Sequence, residues 1–88
     1  AHSVLVLGGG DGLAARELLR QPGLQRIVQV ELDPQVVELA RTTMRDANGG
    51  SLDNPRVQVV IDDALSWLRG SGTDRFDAVI VDLPDPDT

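Results

Sequence analysis

The stretch that decides the fold is Val4-Leu5-Val6-Leu7-Gly8-Gly9-Gly10-Asp11-Gly12, an apolar run too short for a helix, broken by glycines that enclose an aspartate. Val4 to Leu7 are apolar at every position, the pattern of a strand buried on both faces of a parallel sheet. Gly8, Gly9, Gly10 and Gly12 then make a turn that residues without a Cβ follow tightly, and they let a ligand approach the backbone. Helical spacing resumes from Leu13 to Arg20. Strand, glycine turn and helix start in this order build a nucleotide-binding corner. Free backbone N–H groups and the positive end of the helix dipole face the space beyond the sheet edge.

Outward from this corner the chain alternates. Leu18 and Leu19 turn toward the sheet, and Pro22-Gly23 stops the first helix. Arg26 to Leu32 reads as a second strand with Glu31 at its carboxyl end. Asp33 then serves as N-cap and Pro34 as the first residue of a second helix, whose buried stripe is Val36, Val37, Leu39, Ala40 and Met44. Asp46 to Pro55, containing Asn48-Gly49-Gly50-Ser51, reads as one long loop with no ligand role. Val57 to Ile61 is a third strand. Asp62-Asp63 caps a short helix bearing Leu65, Trp67 and Leu68, and Gly70 to Thr73 is a turn. Phe76 to Val81 is a fourth strand, ending on Asp82-Leu83-Pro84-Asp85-Pro86. Strands alternating with helices through short loops imply right-handed crossovers and a parallel sheet. The fold class is α/β, a Rossmann-like doubly wound sheet, with residues 1–88 as one domain. Strands one and four lie side by side where the strand order reverses, and ligands bind beyond their carboxyl ends.

Composition narrows the partners. The hydrophobic share of 41% supports a globular core rather than disorder. A formal charge of −6 repels phosphate backbones and anionic lipid, so neither nucleic acid nor a membrane surface is an expected direct partner, and it attracts a cationic small substrate. The alternative is that acidity serves only solubility. The absence of cysteine excludes disulfides and thiolate metal sites and fits a reducing compartment. The single histidine, His2, reads as a surface residue ahead of the first strand, so no metal site is expected. No apolar stretch reaches membrane length. The chain begins on the first strand and stops in a loop, so it is expected to be part of a longer protein.

Every strand delivers a carboxylate to one rim: Glu31 and Asp33, Asp62 and Asp63, Asp82 and Asp85, facing the turn that carries Asp11. Glu31 lies about twenty residues past the glycines, the offset at which an acid accepts both ribose hydroxyls in nucleotide folds; its alternative is a solvated strand end. Asp63 or Ala64 would flank a base, the carboxylate accepting from an exocyclic amine and the backbone donating to a ring nitrogen. Helix capping is the competing explanation there, as for Asp33. The dinucleotide fingerprint wants glycine at position 13, which is Leu13, so a nicotinamide cofactor loses ground. Spacing at Gly8, Gly10 and Gly12 resembles instead the loop of the S-adenosylmethionine fold. Asp11 would oppose a phosphate and favours a ligand with a positive group, unless it only caps the first helix. Trp67 beside Leu65 and Leu68 reads as packing rather than adenine stacking.

With Gly8-Gly9-Gly10-Asp11-Gly12, Val30-Glu31-Leu32-Asp33-Pro34, Asp62-Asp63-Ala64 and Asp82-Leu83-Pro84-Asp85-Pro86 in this order, the chain resembles the polyamine aminopropyltransferases, the spermidine synthase family. The likeness spans nearly all of it. The resemblance implies transfer of an aminopropyl group from decarboxylated S-adenosylmethionine, a co-substrate rather than a cofactor, to an amine such as putrescine. Methylthioadenosine is released. It implies that Asp11 holds the ammonium of the aminopropyl arm, Glu31 the ribose hydroxyls, and Asp63 with Ala64 the adenine. Gly8, Gly10, Gly12 and Asp33 complete the donor-binding set, Asp82 takes the proton from the attacking amine, and Asp85 places the acceptor. Methyltransferases of the same fold usually carry an acid two residues before the first glycine, where this chain has Val6. It departs from the commoner D-S-S-D-P in having Leu83-Pro84 between its aspartates, which alters the loop shaping the acceptor pocket, and in having Leu13 after the glycines. D-L-P-D-P relatives suggest a membrane region ahead of the catalytic part. The expectation is therefore a cytoplasmic catalytic domain, in a homo-oligomeric and membrane-attached parent, with this fragment inactive alone. The alternatives are a methyltransferase and a non-catalytic adenosine-binding domain.

Overall fold

Four strands, β1 (Ser3–Gly8), β2 (Arg26–Glu31), β3 (Val57–Ile61) and β4 (Ala78–Asp82), form one parallel sheet in the order β3-β2-β1-β4. They are seen in a computed structural model that describes residues 2–71 and 75–82. β1 and β2 are central, which explains the unbroken apolar run of β1 and that of β2, interrupted only by Gln29: Val4, Val6 and Ile27 pack with Leu24 on one face, and Leu5, Leu7, Val28 and Val30 on the other. The register sets Gly8 beside Asp82 and Glu31 beside Ile61, so the strand tips end level.

Helix α1 (Leu13–Leu18) packs Leu18 against the first face, joined by Leu19 just beyond its end. Helix α2 (Pro34–Arg41) begins as its sequence dictates, with the Asp33 carboxylate accepting from the Gln35 N–H at 2.9 Å and Pro34 in the first turn. Helix α3 (Arg45–Asn48) and a 3-10 turn (Ser51–Asp53) occupy the segment expected to be one long loop. Neither is long enough to show a period. Helix α4 (Ala64–Ser71) covers the second face with Trp67 and Leu68, and the Trp67 ring lies 6.1 Å from that of Phe76. Packing is thus the role of Trp67.

Three apolar residues of the stripe expected to be buried are not fully so, Val36 among them at half-burial. Leu39 is 51% exposed because it stands about 200° around α2 from Val37, away from the face that buries Val37 and Ala40. Met44 falls beyond the end of α2 and is only half-buried. Leu65 is 63% exposed at the rim, by the same two-residue offset from Trp67. Gly70 belongs to α4 rather than to a turn. The segment Leu83-Pro84-Asp85-Pro86, which the resemblance implies shapes the acceptor pocket, lies outside the described residues, and Asp85 with it.

Candidate active site

The glycine turn is shaped by what surrounds each position. Gly8, Gly9 and Gly12 have φ of 82°, 68° and 84°, conformations that favour glycine, and the Gly12 N–H closes the turn on the Gly9 carbonyl at 3.2 Å. Gly10 lacks a positive φ. Its need for glycine is spatial, since a Cβ there would stand 2.5 Å from both Cγ and Oε1 of Glu31.

Glu31 reaches across the tip of β1. Its Oε1 accepts from the Gly10 N–H and its Oε2 from the Asp33 N–H, both at 3.0 Å. Each carboxylate oxygen keeps a lone pair for a ligand hydroxyl. Asp82, at the end of β4, lies against Gly9, where a Cβ would come within 2.8 Å of Asp82 Oδ2. Asp11 Oδ1 accepts from the Leu13 N–H at 3.0 Å, a local turn just ahead of α1, whose N-cap is Gly12 with no side-chain cap, so Asp11 is not the N-cap. It also lines a cavity, and the turn contact engages only one carboxylate oxygen, which leaves the other for a ligand.

Two cavities open at the strand tips. The first, of about 450 Å³, is lined by Gly9, Gly10, Asp11, Glu31, Asp33, Val36 and Asp82. The second, of about 310 Å³, includes Gly8, Val30, Leu32, Asp63, Ala64 and Leu65, and shares Glu31 and Asp33 with the first. Neither is lined by a described lysine or arginine. The first suits a cationic group and the second a flat apolar one with a polar edge, with Glu31 between them. Asp63 Oδ1 accepts from the Ser66 N–H at 3.0 Å and is therefore also the cap of α4. Gly12 lines neither cavity. A Cβ at Gly12 would come within 2.7 Å of Ser51 Oγ and 2.9 Å of Asn48 Nδ2.

That last contact exposes residues that sequence reasoning passed over. Asn48 Nδ2 donates to the Asp11 carbonyl at 2.8 Å, and Ser51 Oγ donates to the Gly12 carbonyl at 2.6 Å. Buried Gln29 donates from Nε2 to the Gly8 carbonyl. No spacing rule links positions 48 and 51 to positions 11 and 12, and an Asn-Gly-Gly-Ser run reads locally as turn chemistry. Gln29, polar inside an apolar strand, was a signal open to reading.

The model of the spermine/spermidine synthase domain matches residues 1–88. The chain belongs to that family. The polyamine aminopropyltransferase of Mycobacterium tuberculosis (strain ATCC 25618 / H37Rv) is 79% identical over 90 residues, a match covering 100% of this chain and 17% of the relative. That of Corynebacterium efficiens is 59% identical over 88 residues, covering 98% of this chain and again 17% of the relative. The chain thus spans about a sixth of these relatives. Among solved structures, a spermidine synthase in complex with the transition state analogue AdoDATO superposes with a TM-score of 0.85 at 34% identity, covering 96% of this chain and 28% of that one. The spermidine synthase from Thermotoga maritima gives 0.83, also at 34% identity and with the same coverage. The α/β sheet of this family member is therefore the Rossmann-like methyltransferase type.

Proposed function

We propose that the protein containing this domain transfers an aminopropyl group from decarboxylated S-adenosylmethionine to a diamine such as putrescine, yielding spermidine and methylthioadenosine. The observation that carries the reading is the shared cavity: Asp11, Glu31 and Asp82, from three separate segments, line one space. Its apolar annex beyond Glu31 has the character of an adenine site. The names of the relatives and the analogue held by one structural neighbour support the same reaction.

In this reading Glu31 accepts the two ribose hydroxyls, while Asp63 and the Ala64 backbone meet the adenine between Leu32 and Leu65. Asp33 lies at the join, Gly8 and Gly10 keep the floor open, and Gly12 keeps the turn tight. Asp11 holds the ammonium of the aminopropyl arm. The acceptor arrives protonated and cannot attack. Asp82 takes one proton, the freed nitrogen lone pair forms a bond to the carbon beside the sulfonium, and the C–S bond breaks with its electrons returning to sulfur. Asp85 is assigned to the distal ammonium of the acceptor. Val6 is fully buried where a methyltransferase of this fold carries an acid, which disfavours that alternative. The proposal extends to a homo-oligomeric parent with this domain in the cytoplasm and a membrane region elsewhere in the chain. No helix among the described residues is long and apolar enough to cross a membrane.

The test uses the full-length parent with decarboxylated S-adenosylmethionine and a panel of diamines, following methylthioadenosine. Asp82→Asn is expected to lower kcat by about 100-fold or more, the usual contribution of a positioned base. Unchanged product formation in that variant, or turnover only with the carboxylated donor, overturns the reading.

A further inference from the structure

The site chemistry does not account for a polar strap buried beneath the glycine turn. Asn48 and Ser51 are 1% and 2% exposed. Asn48 Nδ2 donates to two carbonyls, Asp11 and Ala40, each at 2.8 Å, and Asn48 Oδ1 accepts from the Gly50 N–H at 2.9 Å. Ser51 Oγ holds the next carbonyl of the turn, Gly12, at 2.6 Å. The strap is itself anchored on both sides. Arg16 of α1 donates to the Ala47 carbonyl at 2.6 Å, and Arg41 and Arg45 both pair with Asp53.

Two consecutive carbonyls, those of Asp11 and Gly12, are thus fixed by side chains from a segment more than thirty-five residues away. Asp11 sits between Gly10 and Gly12, so its own neighbours restrain its backbone least. A carboxylate that must meet an ammonium gains from being held beforehand. Gly12, whose φ of 84° already favours glycine, also leaves its side-chain space to the strap.

We propose that Asn48 and Ser51 are positioning residues for the donor: they set the backbone of Asp11 so that its carboxylate meets the ammonium of the aminopropyl arm. The inference rests on the aminopropyl-transfer reading. It makes a demand that simple stabilisation does not, since an effect passing through Asp11 must discriminate between a ligand with that ammonium and one without it. Methylthioadenosine has the adenosine but no aminopropyl arm.

In the full-length parent, Ser51→Ala is expected to raise the donor KM about tenfold, the scale set by losing one buried hydrogen bond, while methylthioadenosine affinity by calorimetry changes less than about twofold. Ser51→Thr, which keeps the hydroxyl, should stay near wild type. In an Asp11→Asn background Ser51→Ala should add little, because the group it positions is already neutral. Asn48→Asp should follow Ser51→Ala, and if it fails to fold the serine set decides alone. A lower Tm with unchanged donor KM, equal loss of donor and methylthioadenosine binding, or a full tenfold effect in the Asp11→Asn background overturns the strap proposal. Absence of methylthioadenosine release by the wild-type protein overturns the functional reading itself, and the strap proposal with it.

Discussion

Gly10 and Gly70 show how one residue type serves unrelated ends. At Gly10 a Cβ would stand 2.5 Å from Glu31 Oε1, so Gly10→Ala must push the carboxylate off the Gly10 and Asp33 N–H groups. Two charge-assisted bonds at about 1.5 kcal/mol each correspond to roughly 100-fold. In the proposed aminopropyl transfer by the full-length parent, the expected outcome is a donor KM raised by about that factor, with circular dichroism unchanged because the sheet core is untouched. A Cβ at Gly70 in α4 meets nothing within 4 Å. Gly70→Ala should therefore stabilise the fold by about 0.5–1 kcal/mol through helix propensity, read as a raised urea midpoint with kinetics unaltered. Sequence marked Gly8, Gly10 and Gly12 alike as ligand-approach positions. Only three dimensions separate Gly10, which yields to Glu31, from Gly12, which yields to Ser51 and Asn48.

Elements were legible in proportion to their length and burial. β1 and β2 declare themselves by apolar runs, and α2 by the Asp33-Pro34 start. α3 and the 3-10 turn do not, because four and three residues cannot display a helical period. The start of β1 is joined to that of β4 by another device hidden from local reading. The Asp77 carboxylate accepts from the His2 N–H at 2.6 Å and the Ser3 N–H at 3.0 Å, while the Asp77 N–H donates to the Ser3 carbonyl at 2.9 Å. These N–H groups, that of His2 first, hold the Asp77 carboxyl below the ordinary aspartate range. A carboxylate whose pKa is depressed on folding contributes stability above its unfolded pKa and loses it as pH falls through the folded one. Asp77→Asn should thus be less stable than wild type at pH 7, with the difference closing in the acid range below the unfolded aspartate pKa. Urea titrations across pH would show two curves converging, and a constant gap would refute the linkage.

Among the described residues, carboxylates concentrate at the carboxyl ends of the strands, although Asp77 stands with the arginines at the opposite end. Arg26, Arg56 and Arg75 stand at or before the starts of β2, β3 and β4, while Asp11, Glu31, Asp33, Asp62, Asp63 and Asp82 gather at the tips. This polarity follows from the parallel sheet, which puts all carboxyl ends on one side, and it was foreseeable once strands one and four were placed together. It gives the net charge of −6 a direction. A field of this kind raises the local concentration of cations at the cleft and is screened by salt, with a Debye length of about 10 Å at 0.1 M. In the proposed reaction of the full-length parent, the donor, decarboxylated S-adenosylmethionine, carries a sulfonium and an ammonium, and a diamine acceptor carries two ammoniums. Methylthioadenosine is neutral. Raising sodium chloride from 0.05 to 0.5 M should therefore increase KM for donor and acceptor by about fivefold each, on the scale of screening several surface charges. The affinity for methylthioadenosine should hold steady. Equal salt sensitivity of charged and neutral ligands would mean that the acidic rim plays no part in drawing substrates in, and that its carboxylates act only at contact.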